Sequence, residues 1–188
     1  LIKANKYDIQ IISLPWGHCP MDALKQDNPD HIEIMKYIAR QNIQQQPDVF
    51  IQISVPNEFK AIGKYNIGIT AGIETTLVSH EFIQGANNMD LLITTSEHSK
   101  KGFIDTIYDK IDEKTKQKTG ILKLEKPIEV LFEGVDLNIY KKVKTIQDKV
   151  STELKDIKDD FCYLFVGHWL KGNLGQDRKD VGMMIKTF

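Results

Sequence analysis

Apolar positions recur along this chain in two ways. Short β-branched runs repeat every second residue, and longer stretches place apolar residues three and four apart. The two kinds take turns, which is the pattern of parallel strands joined by crossover helices. Asp8–Ser13 predicts the first strand, followed by the turn formers of Leu14–Pro20. Asn28 and Pro29 predict a helix start, because proline in a first turn has no N–H to leave unpaired. Ile32, Met35, Tyr37, Ile38 and Ala39 make its apolar side. Pro47 closes the connection. Asp48–Ser54 predicts the second strand, and Tyr65–Thr70 a short third one followed by Ala71 and Gly72. A helix is expected from Leu77 to about Asn88 and a fourth strand at Asp90–Thr95. Ser96 then caps a helix expected to run through Ile111, with Phe103, Ile107, Tyr108 and Ile111 at helical spacing. The lysine-rich stretch Glu113–Gly120 predicts an exposed turn, and Ile128–Phe132 the fifth strand.

From Asp136 to Asp160 lysine and aspartate alternate, and only Val150, Leu154 and Ile157 repeat at helical spacing, so this stretch predicts a connector with one short helix. A new strand is expected at Phe161–Val166. The loop Gly167–Gln176 then leads into a helix opened by Asp177–Asp180, with Val181, Met184, Ile185 and Phe188 on its apolar face. Strand, glycine-bearing turn and helix N-terminus together suit a phosphate, because free backbone N–H groups and the positive end of the helix dipole converge there. The chain opens without Met and reaches its first strand almost at once, which leads to the expectation of an internal piece of a longer protein.

With 41% hydrophobic and 27% charged residues among 188, the composition is that of an ordinary globular protein of one domain or a little more. The 25 basic and 26 acidic residues nearly cancel, so no global field favours nucleic acid or an anionic membrane. Cys19 and Cys162 lie far apart and in no ligand-like spacing, which argues against a zinc site or a disulfide scaffold and for free thiols in a reducing cytosol. No apolar run approaches the roughly 20 residues of a membrane span, and Leu1–Lys6 has no signal-peptide core. A cytoplasmic location is expected. No repeat of fixed period is present.

Several chemistries lose their support on the residues alone. Gly172 is followed by Asn173, so the loop after Gly167 is no Walker phosphate loop, and no dinucleotide fingerprint occurs. His18, His31, His80, His98 and His168 form neither a metal spacing nor a triad. Other positions stand out. Arg178 and Lys179 fall in the expected first helical turn, where each cation opposes the dipole by about 0.3 to 1 kcal/mol; residues that break a local rule are expected at functional sites. The plain alternative is that Asp177 and Asp180 neutralise them on a solvated face. Gly72 and Glu74 follow the third strand, at the edge where ligands of open α/β sheets bind, although Glu74 also suits a helix start. Ser96 is an N-cap at the same edge, and Gly134 with Asp136 sets the turn leaving the fifth strand. Trp16 and Trp169 follow strand ends, placed either to stack on a ring or to pack under a loop.

Three segments, in order, carry a resemblance. Gly72–Ser79 with Asn87–Ser96, Ser99 and Lys100 is similar to a run in which a helix ends in Asn-x-x-Asp and the next strand ends in Pro-Ser, with Ser-Lys after it. Glu133–Asp136 with Tyr140 resembles Asn-Gly-Val-Asp-x-x-x-Phe, and Phe165–Gly167 followed by Arg178 and Lys179 resembles Val-Gly-Arg with a later Lys-Gly. Over residues 48 to 188 the chain thus resembles the retaining glycosyltransferases of the two-Rossmann GT-B architecture, family 4. His168, Asp180 and Glu133 stand where that family has Arg, Gly and Asn.

The resemblance implies a Rossmann-like parallel α/β sheet flanked by helices in a truncated GT-B arrangement. It implies an acceptor-side domain over 1–140, a connector over 141–160, and the first strand–helix unit of the donor domain over 161–188. The implied activity is sugar transfer with retention from a nucleotide-sugar co-substrate to an unidentified glycan, lipid or protein acceptor, without nucleic acid, metal or other cofactor. Gly167, Arg178 and Lys179 are the implied donor-binding residues. Gly72, Glu74, Ser96, Gly134 and Asp136 are candidates for the acceptor cleft, and no catalytic residue is assigned. The family's glycine-rich loop and acidic pair fall outside this stretch, so the piece is expected to be inactive alone. A non-catalytic sugar- or partner-binding module and a GT-B-type nucleotide-sugar epimerase are the alternatives.

Overall fold

The computed structural model describes residues 1–14, 22–39, 43–71, 73–167, 175–176 and 179–188. The chain divides into two compact units, Leu1–Gly134 and Val135–Phe188, with the boundary inside the Glu133–Asp136 segment.

The first unit is built on a four-stranded parallel sheet of β1 (Val49–Ile53), β2 (Tyr65–Thr70), β3 (Leu91–Thr94) and β6 (Ile128–Val130), in that order. Its other elements are 3-10 turns at Ile2–Ala4 and Pro56–Glu58, α1 (Pro29–Met35), α2 (His80–Asn87), α3 (Glu97–Asp105) and an antiparallel hairpin of β4 (Ile107–Ile111) and β5 (Lys118–Lys123). Strand order follows chain order, so every crossover moves the same way across the sheet, and right-handed crossovers then fall on one face. Leu92 and Ile128 on that face pack with Phe59, Ile73, Val78, Ile83, Ala86, Met89 and Phe103 into the core. The other face carries Val49, Ile51 and Ile53 of β1, in register with Tyr65, Ile67 and Ile69 of β2. Val49 and Ile53 are 52% and 70% exposed.

Two glycines let backbones approach closely. A Cβ on Gly85 of α2 would stand 1.8 Å from the Pro56 carbonyl oxygen, and one on Gly68 of β2 would stand 2.6 Å from the Phe59 ring. Buried polar side chains secure the loop between β1 and β2. Gln52 Oε1 accepts from Lys60 N (3.0 Å), and its Nε2 donates to the Glu58 carbonyl (2.9 Å). Asn66 Oδ1 accepts from Ile62 N and Gly63 N at 2.9 and 2.8 Å.

Several expectations are corrected. Asp8–Ser13 forms no strand; it makes a single parallel bridge, Ile11 to Ile38. The first helix begins as expected, with Asn28 Oδ1 accepting from Asp30 N and His31 N, but ends at Met35. The helix capped by Ser96 ends at Asp105. Thr106 stops it: its hydroxyl donates to Gly102 O (2.6 Å) and accepts Val78 N (3.0 Å). Residues 107–111 then extend, because Ile107, Asp109 and Ile111 alternate with Tyr108 and Lys110 as well at period two as at helical spacing. The lysine-rich turn shrinks to Asp112–Gln117, since Lys118–Gly120 belong to β5. Asp112 Oδ1 accepts from the Thr115 and Lys114 N–H groups, which hold its carboxyl below its ordinary value, Thr115 first.

The second unit contains α4 (Asp148–Leu154) and α5 (Val181–Thr187). Phe161–Val166 is not a strand. A strand needs a partner for its N–H and C=O groups, and no strand occurs among the described residues of this unit. Instead Tyr163 stacks at a tilt on Phe188 (5.2 Å between centroids), and Leu164 and Val166 lie exposed. α5 starts at Val181 behind Asp180, whose φ of 50° is left-handed. Lys179 therefore precedes the cap and is not in the first turn, where it was expected to oppose the dipole.

Among the described residues, no helix is long and apolar enough to cross a membrane.

Candidate active site at the carboxyl edge of the sheet

Parallel strands end on one edge, and here three of them end alike. Ile53-Ser54, Ile69-Thr70 and Ile93-Thr94 close β1, β2 and β3. Thr70 pairs in register with Thr94, and Ser54 N extends the ladder to the Ile69 carbonyl (3.2 Å). The alternation of a strand then sets all three hydroxyl side chains on the helix-covered face. All are buried. Ser54 Oγ accepts from Gln52 Nε2 (3.1 Å) and donates to Val55 O (3.3 Å). Thr94 Oγ1 has the Ser96 and Glu129 carbonyls at 3.4 and 3.5 Å. Thr70 is 3% exposed, and its Oγ1 has no hydrogen-bond partner among the described residues.

Ser96 follows β3 at this edge and caps α3. Its Oγ accepts Ser99 N (3.1 Å) and lies 3.0 Å from the buried Ser99 hydroxyl. Lys100 reaches Glu129 of β6, with Nζ 3.6 Å from Oε2. The Ser99–Lys100 pair thus acts locally, one residue closing the cap and the other tying α3 to the sheet.

Glu74 lies exposed in the loop after β2. α2 begins only at His80, capped by Ser79, so Glu74 is not the helix-start carboxylate considered from the sequence. Glu81 takes that place, and its own backbone N–H, then the Ser79 hydroxyl, hold its carboxyl below the ordinary value. Gly72 lies outside the described residues. Gly134, after β6, is exposed; a Cβ there would meet nothing within 4 Å, so the position does not demand glycine.

The remaining candidates belong to the second unit. Asp136 organises its own turn: Oδ1 accepts Asn138 N (2.8 Å), and its carbonyl accepts Tyr140 N (2.8 Å). Gly167 is exposed, and a Cβ on it would meet the Phe165 ring at 2.7 Å. Lys179 is exposed just before α5. Arg178 lies outside the described residues, as do His18, Trp16, His168, Trp169 and the loop segment from 168 to 174.

The structure therefore brings Ser96 and the Glu74 loop to one sheet edge, beside a row of hydroxyls that residue-by-residue reading passes over. The repeated Ile-Ser/Thr strand ending is the signal that marks it. The row itself is buried, and what this edge can offer a polyhydroxylated ligand is the exposed Glu74 carboxylate and the half-buried Ser96 hydroxyl. Among the described residues no cluster of three or more His, Cys, Asp or Glu side chains is arranged to hold a metal ion.

Comparison with protein families, with curated proteins and with solved structures finds no match for this chain.

Proposed function

We propose that this chain carries the acceptor-side domain of a retaining GT-B-type glycosyltransferase and the opening of its donor-binding domain. The observation that carries the reading is positional. The Glu74 loop and Ser96, which lie in the segment resembling the transferase run, follow adjacent parallel strands onto the carboxyl edge, where open α/β sheets take their ligands.

In this reading Glu74 accepts a hydrogen bond from an acceptor hydroxyl and orients it. The acceptor oxygen attacks the anomeric carbon from the side of the departing diphosphate. A carbon–oxygen bond to the acceptor forms as the one to the diphosphate breaks, and the hydroxyl proton passes to the leaving phosphate oxygen. Negative charge grows on that group in the transition state, where the Gly167 amide, Arg178 and Lys179 act. Donors aimed at growing charge lower the barrier more than they strengthen ground-state binding.

The test is a donor screen on the full-length protein, reading nucleoside diphosphate release from uridine, guanosine and adenosine diphosphate sugars. Release that depends on an acceptor and falls at least about tenfold in Lys179→Ala supports the reading. Absence of release with every donor overturns it. A second reading, a sugar-binding module without transfer, draws on His168, Asp180 and Glu133 standing where the family carries Arg, Gly and Asn. Saturable glycan binding without release would select it.

A further inference from the structure

We propose that a cleft between α2 and the β4–β5 hairpin, separate from the carboxyl-edge residues, binds a small molecule that joins a flat apolar ring to an anionic group. The cleft has a volume of about 380 Å³ and is lined by His80, Gln84, Tyr108, Lys110, Ile111 and Leu122, with Asp109 also at its wall. That volume falls within the range of small-molecule sites, roughly 300 to 1,000 Å³.

The walls are held at both ends. The Tyr108 hydroxyl donates to the Val78 carbonyl at 2.6 Å, and its ring meets His80 edge-on, with centroids 6.1 Å apart and planes at 81°. At the far end of α2, Asn87 Nδ2 donates to Lys123 O (2.9 Å), and Asn87 Oδ1 accepts Glu125 N (2.8 Å). The tyrosine hydroxyl is thus already engaged, and what the residue offers a ligand is its ring.

The charge around the cleft is uneven. Asp109 pairs with Lys118 at 2.5 Å, and Glu81 lies 3.3 Å from His80 Nδ1. The Lys110 carbonyl accepts from the Thr119 hydroxyl (3.2 Å), whereas its ammonium has no hydrogen bond or ion pair among the described residues, although a lining carboxylate sits next to it in sequence. One ammonium without a counter-charge, beside the imidazole and the Gln84 amide, favours an anion. Tyr108, Leu122 and Ile111 supply apolar surface for a ring. The inference does not depend on the transferase reading.

The test is an amide NMR titration of the 188-residue chain with phenyl phosphate, with phenol and inorganic phosphate as controls. Saturable shifts at Gln84, Tyr108, Lys110 and Leu122 are expected, with each control about tenfold weaker or more. Lys110→Gln, an exposed change on the hairpin, should weaken phenyl phosphate binding about fivefold or more while leaving the spectrum elsewhere unchanged. The proposal is overturned if shifts do not saturate, if inorganic phosphate binds as well as phenyl phosphate, or if Lys110→Gln has no effect.

Discussion

Asp90 Oδ2 accepts two hydrogen bonds from Asn66, one from its backbone N–H at 2.8 Å and one from its side-chain amide at 3.2 Å, which joins the amino ends of β2 and β3. The backbone donor, then the side-chain donor, hold the Asp90 carboxyl below its ordinary value. A carboxyl lowered in the folded state stabilises the fold fully above its unfolded value of about 3.9. That contribution is lost as pH falls through the folded value. Acid unfolding of Asp90→Asn should therefore be less steep below about pH 4 than that of the parent, followed by circular dichroism. An identical acid limb in the two proteins would contradict this.

Removing the other partner has a different cost. Asn66 is buried, and Asn66→Ala leaves the Ile62 and Gly63 N–H groups without their acceptor, so a loss of about 1 to 3 kcal/mol is expected in urea unfolding.

Gly85 and Gly134, both in the first unit, should respond differently to an added methyl group. Gly85→Ala drives a methyl group into the Pro56 carbonyl, a backbone atom that cannot swing aside, and should cost about 3 kcal/mol or more. Gly134→Ala meets open space and should stay within about 0.5 kcal/mol. Equal midpoints for the two variants would show that α2 does not pack on the Pro56 turn as described.

Buried hydroxyls offer a matched pair of substitutions. Thr70→Val removes a polar atom that has no partner among the described residues and should raise stability by about 1 kcal/mol. Thr106→Val removes one that both donates and accepts, and should lower it by about 1 to 3 kcal/mol.

Ser96 separates capping from binding. Ser96→Asp keeps an acceptor for Ser99 N and should match the parent in stability, whereas Ser96→Ala should lose about 1 kcal/mol. If the hydroxyl also touches an acceptor sugar, both variants raise KM, and transfer by Ser96→Asp at the parent's KM would assign the residue to capping alone.

Much of the first unit can be read directly from its residues, because its signals are local. Tyr65–Thr70 alternates, is bounded by small and polar residues, and forms β2 over those same six positions. Asn28 and Ser96 each announce a helix, and each side chain accepts a backbone N–H in the cap, whereas the helix expected from Leu77 begins three residues later behind Ser79. Misreadings arise where two periods coincide or where pairing decides. Ile107 and Ile111 satisfy both helix and strand, and the choice passes to Thr106 and to contacts made 28 residues away at Val78. Phe161–Val166 is as apolar as any strand in the chain and still finds no strand to pair with among the described residues of its unit. The hydroxyl row was hidden for a related reason: Thr70 and Thr94 meet only through a register that no window along the chain contains.

The single direction of the crossovers leaves one further mark on behaviour in solution. With α2 and α3 gathered on one side, the sheet presents Val49, Ile51 and Ile53 to water, a greasy veneer on an edge strand. Contiguous bare hydrocarbon of this kind makes a polypeptide adhere to its own kind as concentration rises. Light scattering should grow with concentration and subside when Ile53 is replaced by lysine, a change that removes oil from the veneer and leaves the helix-covered side undisturbed.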